Sequence, residues 1–459
     1  NGYWYVSYDN EITWEQLGQA TGDQGPAGSN SECLFDSVTW DNDYVYFKLS
    51  DGQTIKIPQA SVANAGNGVT IELSSTGEFS ALFYGTFENM GVDMKVTVYY
   101  GPSSSLSLYN YQGSVSRTSF SGSSYTLTVD KLFSDTKYYY FTETVNNGKT
   151  VYSDVNWFRT KAVTGYEDDF STSDAVNLSS GGTANCYIVT SPGTYSISAV
   201  KGNSSTSVGS VSSATVIWET FGTSVTPTRG DLVKGALYKD GKVYFKTNST
   251  FMEGNALIAV KDASGNILWS WHIWMTDQPA GQVYYNNAGT VMDRNLGATS
   301  ATPGDVKALG LMYQWGRKDP FLGSSSINES IKAKSTGAWP AAVSSSSGNG
   351  TLDYSIQNPM TFVGSGTGSS DKDLTRWRAN KTIYDPCPTG WRVPDGDQNG
   401  LWATAFGTSS SFNKSYDSTN KGIDFSSKLG SAYVIWYPAS GYMDDAYGTL
   451  SYVGGGGCY

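Results

Sequence analysis

Between residues 69 and 275 one pattern recurs. Short runs, alternating or wholly apolar and rich in Val, Ile, Tyr, Phe and Trp, are broken by Gly, Asn, Asp and Ser. β-Branched and aromatic side chains suit a pleated surface, and a period of two puts alternate residues on one face. A chain punctuated this often argues against long helices and for short strands closed into sandwiches. Val69-Thr-Ile-Glu-Leu, Phe79-Ser-Ala-Leu-Phe-Tyr, Met94-Lys-Val-Thr-Val-Tyr-Tyr, Tyr125-Thr-Leu-Thr-Val, Lys137-Tyr-Tyr-Tyr-Phe and Val155-Asn-Trp-Phe-Arg-Thr predict one sandwich over 63–163. Asn146-Asn-Gly-Lys is a hairpin signal inside it. Ala184-Asn-Cys-Tyr-Ile-Val, Ala214-Thr-Val-Ile-Trp, Lys242-Val-Tyr-Phe-Lys, Ala256-Leu-Ile-Ala-Val and Ile267-Leu-Trp-Ser-Trp-His-Ile-Trp predict a second over 164–280. In the last run Trp269 and Trp271 share a face and Trp274 takes the other. A Trp row can stack on sugars, but most Trp are highly buried. We read these as core, and His272 among them as a hydrogen-bonded packing residue.

The 459 residues suffice for about three domains at roughly 100–200 residues each. Charged residues are 15% of the chain and the net charge is −11. With no basic block, binding to nucleic acid by phosphate neutralisation is excluded. His272 is the single histidine, which rules out a multi-His metal site and all but rules out a His-based triad. No apolar run approaches the roughly 18 residues of a membrane helix. The first residue is Asn rather than Met, so a processed leader or anchor is compatible with the chain. Cys33, Cys186, Cys387 and Cys458 form no C-x-x-C pair. They read as buried thiols, with Cys387–Cys458 the one bridge worth testing.

Residues 1–62 read as a small β module. Gly recurs at every third place through Gly22, Gly25 and Gly28, the period of a collagen-like stalk, although three triplets serve equally as a Gly-rich linker. Gly2-Tyr-Trp, Ser7-Tyr-Asp, Thr13-Trp, Leu17-Gly, Tyr44-Val-Tyr-Phe and Asp51-Gly-Gln-Thr-Ile-Lys-Ile-Pro resemble an N-terminal module of surface lipoproteins from gut anaerobes, known from a polysaccharide-lyase family. No lyase activity is implied by that module. Leu132-Phe-Ser-Asp-Thr-Lys-Tyr138 resembles the fibronectin type III corner, in which a Tyr anchors a late strand.

Residues 281–459 change character, with long Ser/Gly loops and helix signals at Val306–Trp315 and Asn399–Phe406. Val291-Met-Asp-Arg-Asn-Leu-Gly-Ala, Tyr313-Gln-Trp-Gly-Arg-Lys-Asp-Pro-Phe, Tyr384-Asp-Pro-Cys-Pro-Thr-Gly-Trp-Arg-Val-Pro and Tyr437-Pro-Ala-Ser-Gly-Tyr resemble the major paralogous domain of fibre-degrading anaerobes (FISUMP). That resemblance implies an α+β, C-type-lectin-like fold and a binding module displayed outside the cell. It also implies further strands beyond Tyr459, supplied by more chain or by a partner. Ligand contacts are then expected in the final strands, at Tyr442, Asp444, Asp445, Tyr447 and Tyr452, with a loop tip as the plain reading of Asp444-Asp445.

Asp395-Gly-Asp397-Gln-Asn399-Gly matches the first half of an EF-hand loop, so Ca²⁺ is the one metal to consider, held by Asp395, Asp397 and Asn399. Position 12 is Phe406, and a turn capping the following helix explains the same residues. No other cofactor and no catalytic residue is expected. A reactive Cys387/Cys458 pair is the one enzymatic alternative. The chain thus reads as mainly β and multidomain: a β-hairpin stalk module, two β-sandwiches and a C-terminal α+β C-type-lectin-like domain. The expected function is an extracellular adhesin or ligand-capture protein, anchored at a bacterial outer membrane, for a glycan or a surface protein. A pilus or phage tail-fibre component, trimeric or fibre-forming, and a non-catalytic fragment of a polysaccharide-degrading enzyme are the alternatives.

Overall fold

Alternation in the sequence becomes strand pairing in a computed structural model. It describes residues 3–6, 15–19, 35–40, 44–49, 53–58, 67–102, 104–109, 111–132, 134, 136–161, 172–364, 376–377, 380–396, 400–406, 415–424 and 436–455. The protein is mainly β, with several separate sheets. It parts into two compact units, Asn1–Ala65 and Gly66–Tyr459. In the first, Tyr3–Val6 pairs with Glu15–Gln19, and Phe35–Trp40, Tyr44–Leu49 and Thr54–Pro58 form an antiparallel meander. The collagen-like stretch 22–30 lies outside the described residues.

In the second unit the predicted sandwiches both form. The first packs a three-stranded sheet (Glu72–Thr76, Ala81–Thr86, Ser124–Val129) on a five-stranded one (Lys95–Gly101, Gly113–Arg117, Lys137–Asn146, Lys149–Tyr152, Asn156–Arg159). Phe83, Val96, Val98, Leu127, Tyr138 and Phe158 fill the space between. Asn147 and Gly148 both take positive φ (52° and 75°), as a type I′ hairpin turn requires. The second sandwich packs Val176–Asn177, Thr194–Ser198, Lys242–Thr247 and Val233–Lys239 on Cys186–Val189, Ile267–Met275, Gly254–Lys261 and Ser213–Thr220. Trp269, Trp271, Ile273 and Met275 face its core with Ile197, Phe245 and Ile258.

The opposite face of this sheet is buried too. Gly254–Lys261 is buried at every residue, because the C-terminal stretch covers it. Leu257 and Ala259 pack with Leu311 and Met360, and Trp218 meets Trp339 at 5.7 Å. The Trp274 indole donates to Ala298 O (3.0 Å). Asn185 Nδ2 donates to Ile383 O and Asp385 O (2.7 and 2.8 Å), while its Oδ1 accepts from Trp269 Nε1 (3.0 Å). The stretches read as 164–280 and 281–459 therefore share one buried face. The first sandwich is tied on by Lys261 Nζ, which donates to Ser134 O (2.7 Å) and Thr136 Oγ1 (2.9 Å).

One feature of the C-terminal stretch differs from expectation, and another was not read from the sequence. The helix signal at Val306–Trp315 yields only a 3₁₀ turn, Val306–Ala308, capped by Asp305, and a short strand, Met312–Tyr313. Gly310 stops it. Its φ is +74°, and a Cβ there would lie 2.7 Å from Leu296 O. The second feature is a buried ion pair. Lys318 Nζ lies 2.7 and 2.9 Å from the two Asp319 carboxylate oxygens and donates to Ser270 Oγ (2.6 Å) and Ser270 O (3.0 Å). Trp269 lies beneath the ammonium at 4.6 Å. Burial pushes the Lys318 pKa down, and Asp319 opposes the shift.

Removing one member of such a pair strands a buried charge. We expect Lys318→Met to lower unfolding stability by about 3–5 kcal/mol in urea titrations, and Lys318→Met/Asp319→Leu to recover most of that loss. Equal stability of the single variant and the wild type would show that the pair contributes nothing.

Candidate ligand cleft of the C-terminal module

Several short elements of the C-terminal module border a cleft of about 1060 Å³. The strand Met312–Tyr313 and the turn after it supply Tyr313, Gln314 and Trp315. Gln314 is fixed by donating to Val363 O (2.6 Å) and accepting from Arg317 (3.0 Å). Arg317 is itself buried, donating to Thr361 O, Ser355 O and Asn358 O. Trp377 meets Trp315 at 5.2 Å and donates to Tyr384 O (3.1 Å). The segment after Cys387 brings Trp391, Arg392 and Asp395, and the hairpin Tyr442–Met443/Leu450–Ser451 brings Tyr442 and Asp445. Gly441 opens that hairpin at φ +75°, where a Cβ would strike Ser451 O at 2.3 Å.

Tyr313 is held from behind. Its hydroxyl lies 3.4 Å from His272 Nδ1, and His272 Nε2 lies 2.8 Å from Asn255 Oδ1. Asn255 Nδ2 donates to Gly297 O (2.8 Å), which leaves Oδ1 as the acceptor. Nε2 therefore carries the proton, and Nδ1 accepts from Tyr313. His272 is 1% exposed, and burial lowers its pKa to about 3.

Of the five residues expected to touch ligand, Tyr442 and Asp445 line the cleft. Asp444 closes its own turn instead, accepting from Ala446 N (3.0 Å) and Tyr447 N (2.9 Å). Tyr447 is an exposed tip and does not line the cleft. Tyr452, at φ +59°, stacks on Tyr442 at 5.4 Å and 15°, so it supports the wall from outside. Asp395 accepts from Arg392 NH2 (2.9 Å), so a guanidinium faces this carboxylate; Asp397 and Asn399 lie outside the described residues. Among the described residues no three His, Cys, Asp or Glu side chains come together as metal ligands.

Of the expected Cys387–Cys458 pair only Cys387 is described. Cys387 is a free, buried thiol, and Cys458 lies outside the described residues. Asp385 explains the geometry around Cys387: it accepts from Cys387 N (2.9 Å), Lys381 Nζ (2.6 Å) and Val393 N (3.0 Å), folding the segment inward. Burial pushes the Cys387 thiol well above its ordinary pKa, the opposite of what a thiolate nucleophile needs.

Sequence reasoning missed Trp315, Trp377 and Trp391. Trp315 and Trp391 stand inside the motifs Tyr313-Gln-Trp and Gly390-Trp-Arg, so the signal was there. The lining combines aromatic surface with Arg376, Arg392, Asp395 and Asp445, the composition of a binding cleft.

No protein-family model matches the chain, and no curated protein matches it. The lipoprotein-module and FISUMP resemblances drawn above therefore rest on their motifs alone. Solved structures similar to parts of it include the third fibronectin III domain of human KIAA0343 protein (17% identity, 21% of this chain and 82% of that one, TM-score 0.16). A tetra-tandem repeat from the extending region of a large adhesion protein is similar at 14% identity, over 50% of this chain and 54% of that one, with a TM-score of 0.20. Domains d3–d4 of the rat CD45 extracellular region are similar at 12% identity, over 34% and 94%, with a TM-score of 0.15.

Because His272 is the chain's one histidine, its linkage can be read directly. The unfolded chain takes up its proton near pH 6.5, the folded chain only near pH 3. The stabilisation is full above pH 6.5 and is lost as pH falls toward 3. Relative to His272→Gln, which keeps a donor for Asn255, wild-type stability should drop by roughly 1.4 kcal/mol between pH 8 and pH 5.5. Paired urea titrations check this, and a difference that stays constant with pH would refute it.

Proposed function

We propose that the chain is an extracellular adhesin or ligand-capture protein whose C-terminal module binds a glycan in the Trp315–Trp377–Trp391–Tyr442 cleft. The observation that carries this reading is the cleft itself: Trp315, Trp377, Trp391 and Tyr442 line it together with Arg376, Arg392, Asp395 and Asp445. Aromatic faces cover the apolar C–H face of a sugar ring, while charged and amide groups meet its hydroxyls. Trp315 is 52% exposed, more than its own packing requires. The resemblance of the module's four motifs to the FISUMP family, with its lectin-like fold, supports the same assignment. A surface low in charge and rich in Tyr, Ser, Gly and Asn is suited to adaptable recognition. The sandwiches then serve as spacers, and attachment to a bacterial outer membrane is part of this proposal.

The test is a broad glycan array probed with the intact chain, followed by calorimetry on the best hit. Trp315→Ala and Trp377→Ala should each weaken binding about tenfold or more, as loss of a central aromatic anchor does. The melting temperature of Trp315→Ala should stay near wild type, because that ring is exposed. Absence of any glycan hit, or wild-type affinity in both variants, would sink the proposal.

A further inference from the structure

The first sandwich carries a second aromatic surface, away from the cleft residues. Cross-strand register puts Tyr99 opposite Phe141, Trp157 opposite Tyr139, and Tyr152 opposite Glu143, all on the face turned away from the core. These rings touch one another: Tyr99 stacks on Phe141 at 4.9 Å, and Phe141 lies 6.4 Å from Tyr152. Outer faces of such sandwiches ordinarily carry polar residues. Here Trp157 is 58% and Tyr152 48% exposed.

Charge on this face runs against the rest of the chain. Its strand positions hold Lys95, Lys137 and Arg159 against one carboxylate, Glu143, within a chain of net charge −11. Asp154 adds an acid at the rim, in the turn after Tyr152. Glu143 is already occupied. It accepts from Tyr152 (2.8 Å) and Tyr99 (3.2 Å) and lies 3.6 Å from Lys95. Lys137 has no carboxylate partner among the described residues. Its ammonium lies 4.5 Å from the Trp157 ring centre and 4.8 Å from that of Tyr139, held in place by cation–π attraction while it remains exposed.

We propose that this face binds an anionic polysaccharide, with sugar rings on Trp157 and Tyr152 and a carboxylate or sulfate on Lys137. Charge complementarity selects the class: an exposed cation without an acid partner among the described residues, beside exposed rings, fits a sugar that carries its own anion. The site is separate from the cleft, and each can fail without the other.

Affinity electrophoresis of the intact chain tests it with three polymers: polygalacturonate (carboxylates only), dextran sulfate (sulfates only) and dextran (neither). Retardation by one or both polyanions and not by dextran is expected, and which polyanion retards names the anion. Binding should weaken as salt rises. Lys137→Gln and Trp157→Ala should each reduce affinity about tenfold, with unchanged melting temperatures because both side chains are exposed. Trp315→Ala should bind as wild type does. Four results would overturn the proposal: no retardation by either polyanion, equal retardation by dextran, wild-type affinity in both face variants, or loss of binding in Trp315→Ala, which would move the site to the cleft.

Discussion

The strand Ile267–Met275 is buried on both faces, and the arrangement of the second unit follows from that. A sandwich sheet normally shows one face to water, so its outward residues can be polar at no cost. Here the outward residues Ser270 and His272 face protein. Each must find a partner, because an unpaired polar group in such a place costs about as much as the fold's individual contacts supply. Ser270 finds Lys318 and Asp319, and His272 finds Asn255 and Tyr313. Lys318, Asp319 and Tyr313 all come from the C-terminal stretch, and these bonds tie it to the strand. The polar residues within an apolar strand thus specify where the cleft-bearing module sits.

This explains what was legible in the sequence and what was not. The sandwich strands could be read because period-two alternation and turn residues are local signals. Trp269, Trp271 and Trp274 were read onto their observed faces for the same reason. The docking of 281–459 onto Gly254–Lys261 could not be read locally. Its only trace was that Ala256-Leu-Ile-Ala-Val is apolar at successive positions, the mark of a sheet covered on both sides. In the C-terminal module the elements are two to six residues long. Such pieces are too short for periodicity to register, and the helix signal at Val306 failed where one glycine turned the chain.

The candidate cleft was legible in part for a related reason. Tyr442 and Asp445 were reached through the resemblance, which pointed to the final strands. Asp444 was swept in with them, although an Asp three residues before a backbone N–H is as apt to close its own turn as to meet a ligand. Trp377 was overlooked because an isolated Trp in a loop-rich segment has no pattern around it, whereas Trp315 and Trp391 lay inside quoted motifs and were not singled out. Only the tertiary fold brings Trp315 within 5.2 Å of Trp377.

The two aromatic surfaces are built on different principles, and this bears on how freely each can change. The cleft wall at Tyr313 is continuous with a chain of hydrogen bonds that is buried from His272 through Asn255 to Gly297. A substitution there disturbs groups that have no water to fall back on, so cleft shape and stability are coupled. On the first sandwich the hydrophobic core lies on the other side of the sheet, with Tyr138 and Phe158 packed inward. The alternation of the strand separates Trp157 from Phe158 and Tyr139 from Tyr138. Outward residues can therefore vary in charge and ring content with little cost to the core. Of the two surfaces, the sheet face is the one on which binding preference can drift while the fold stays intact.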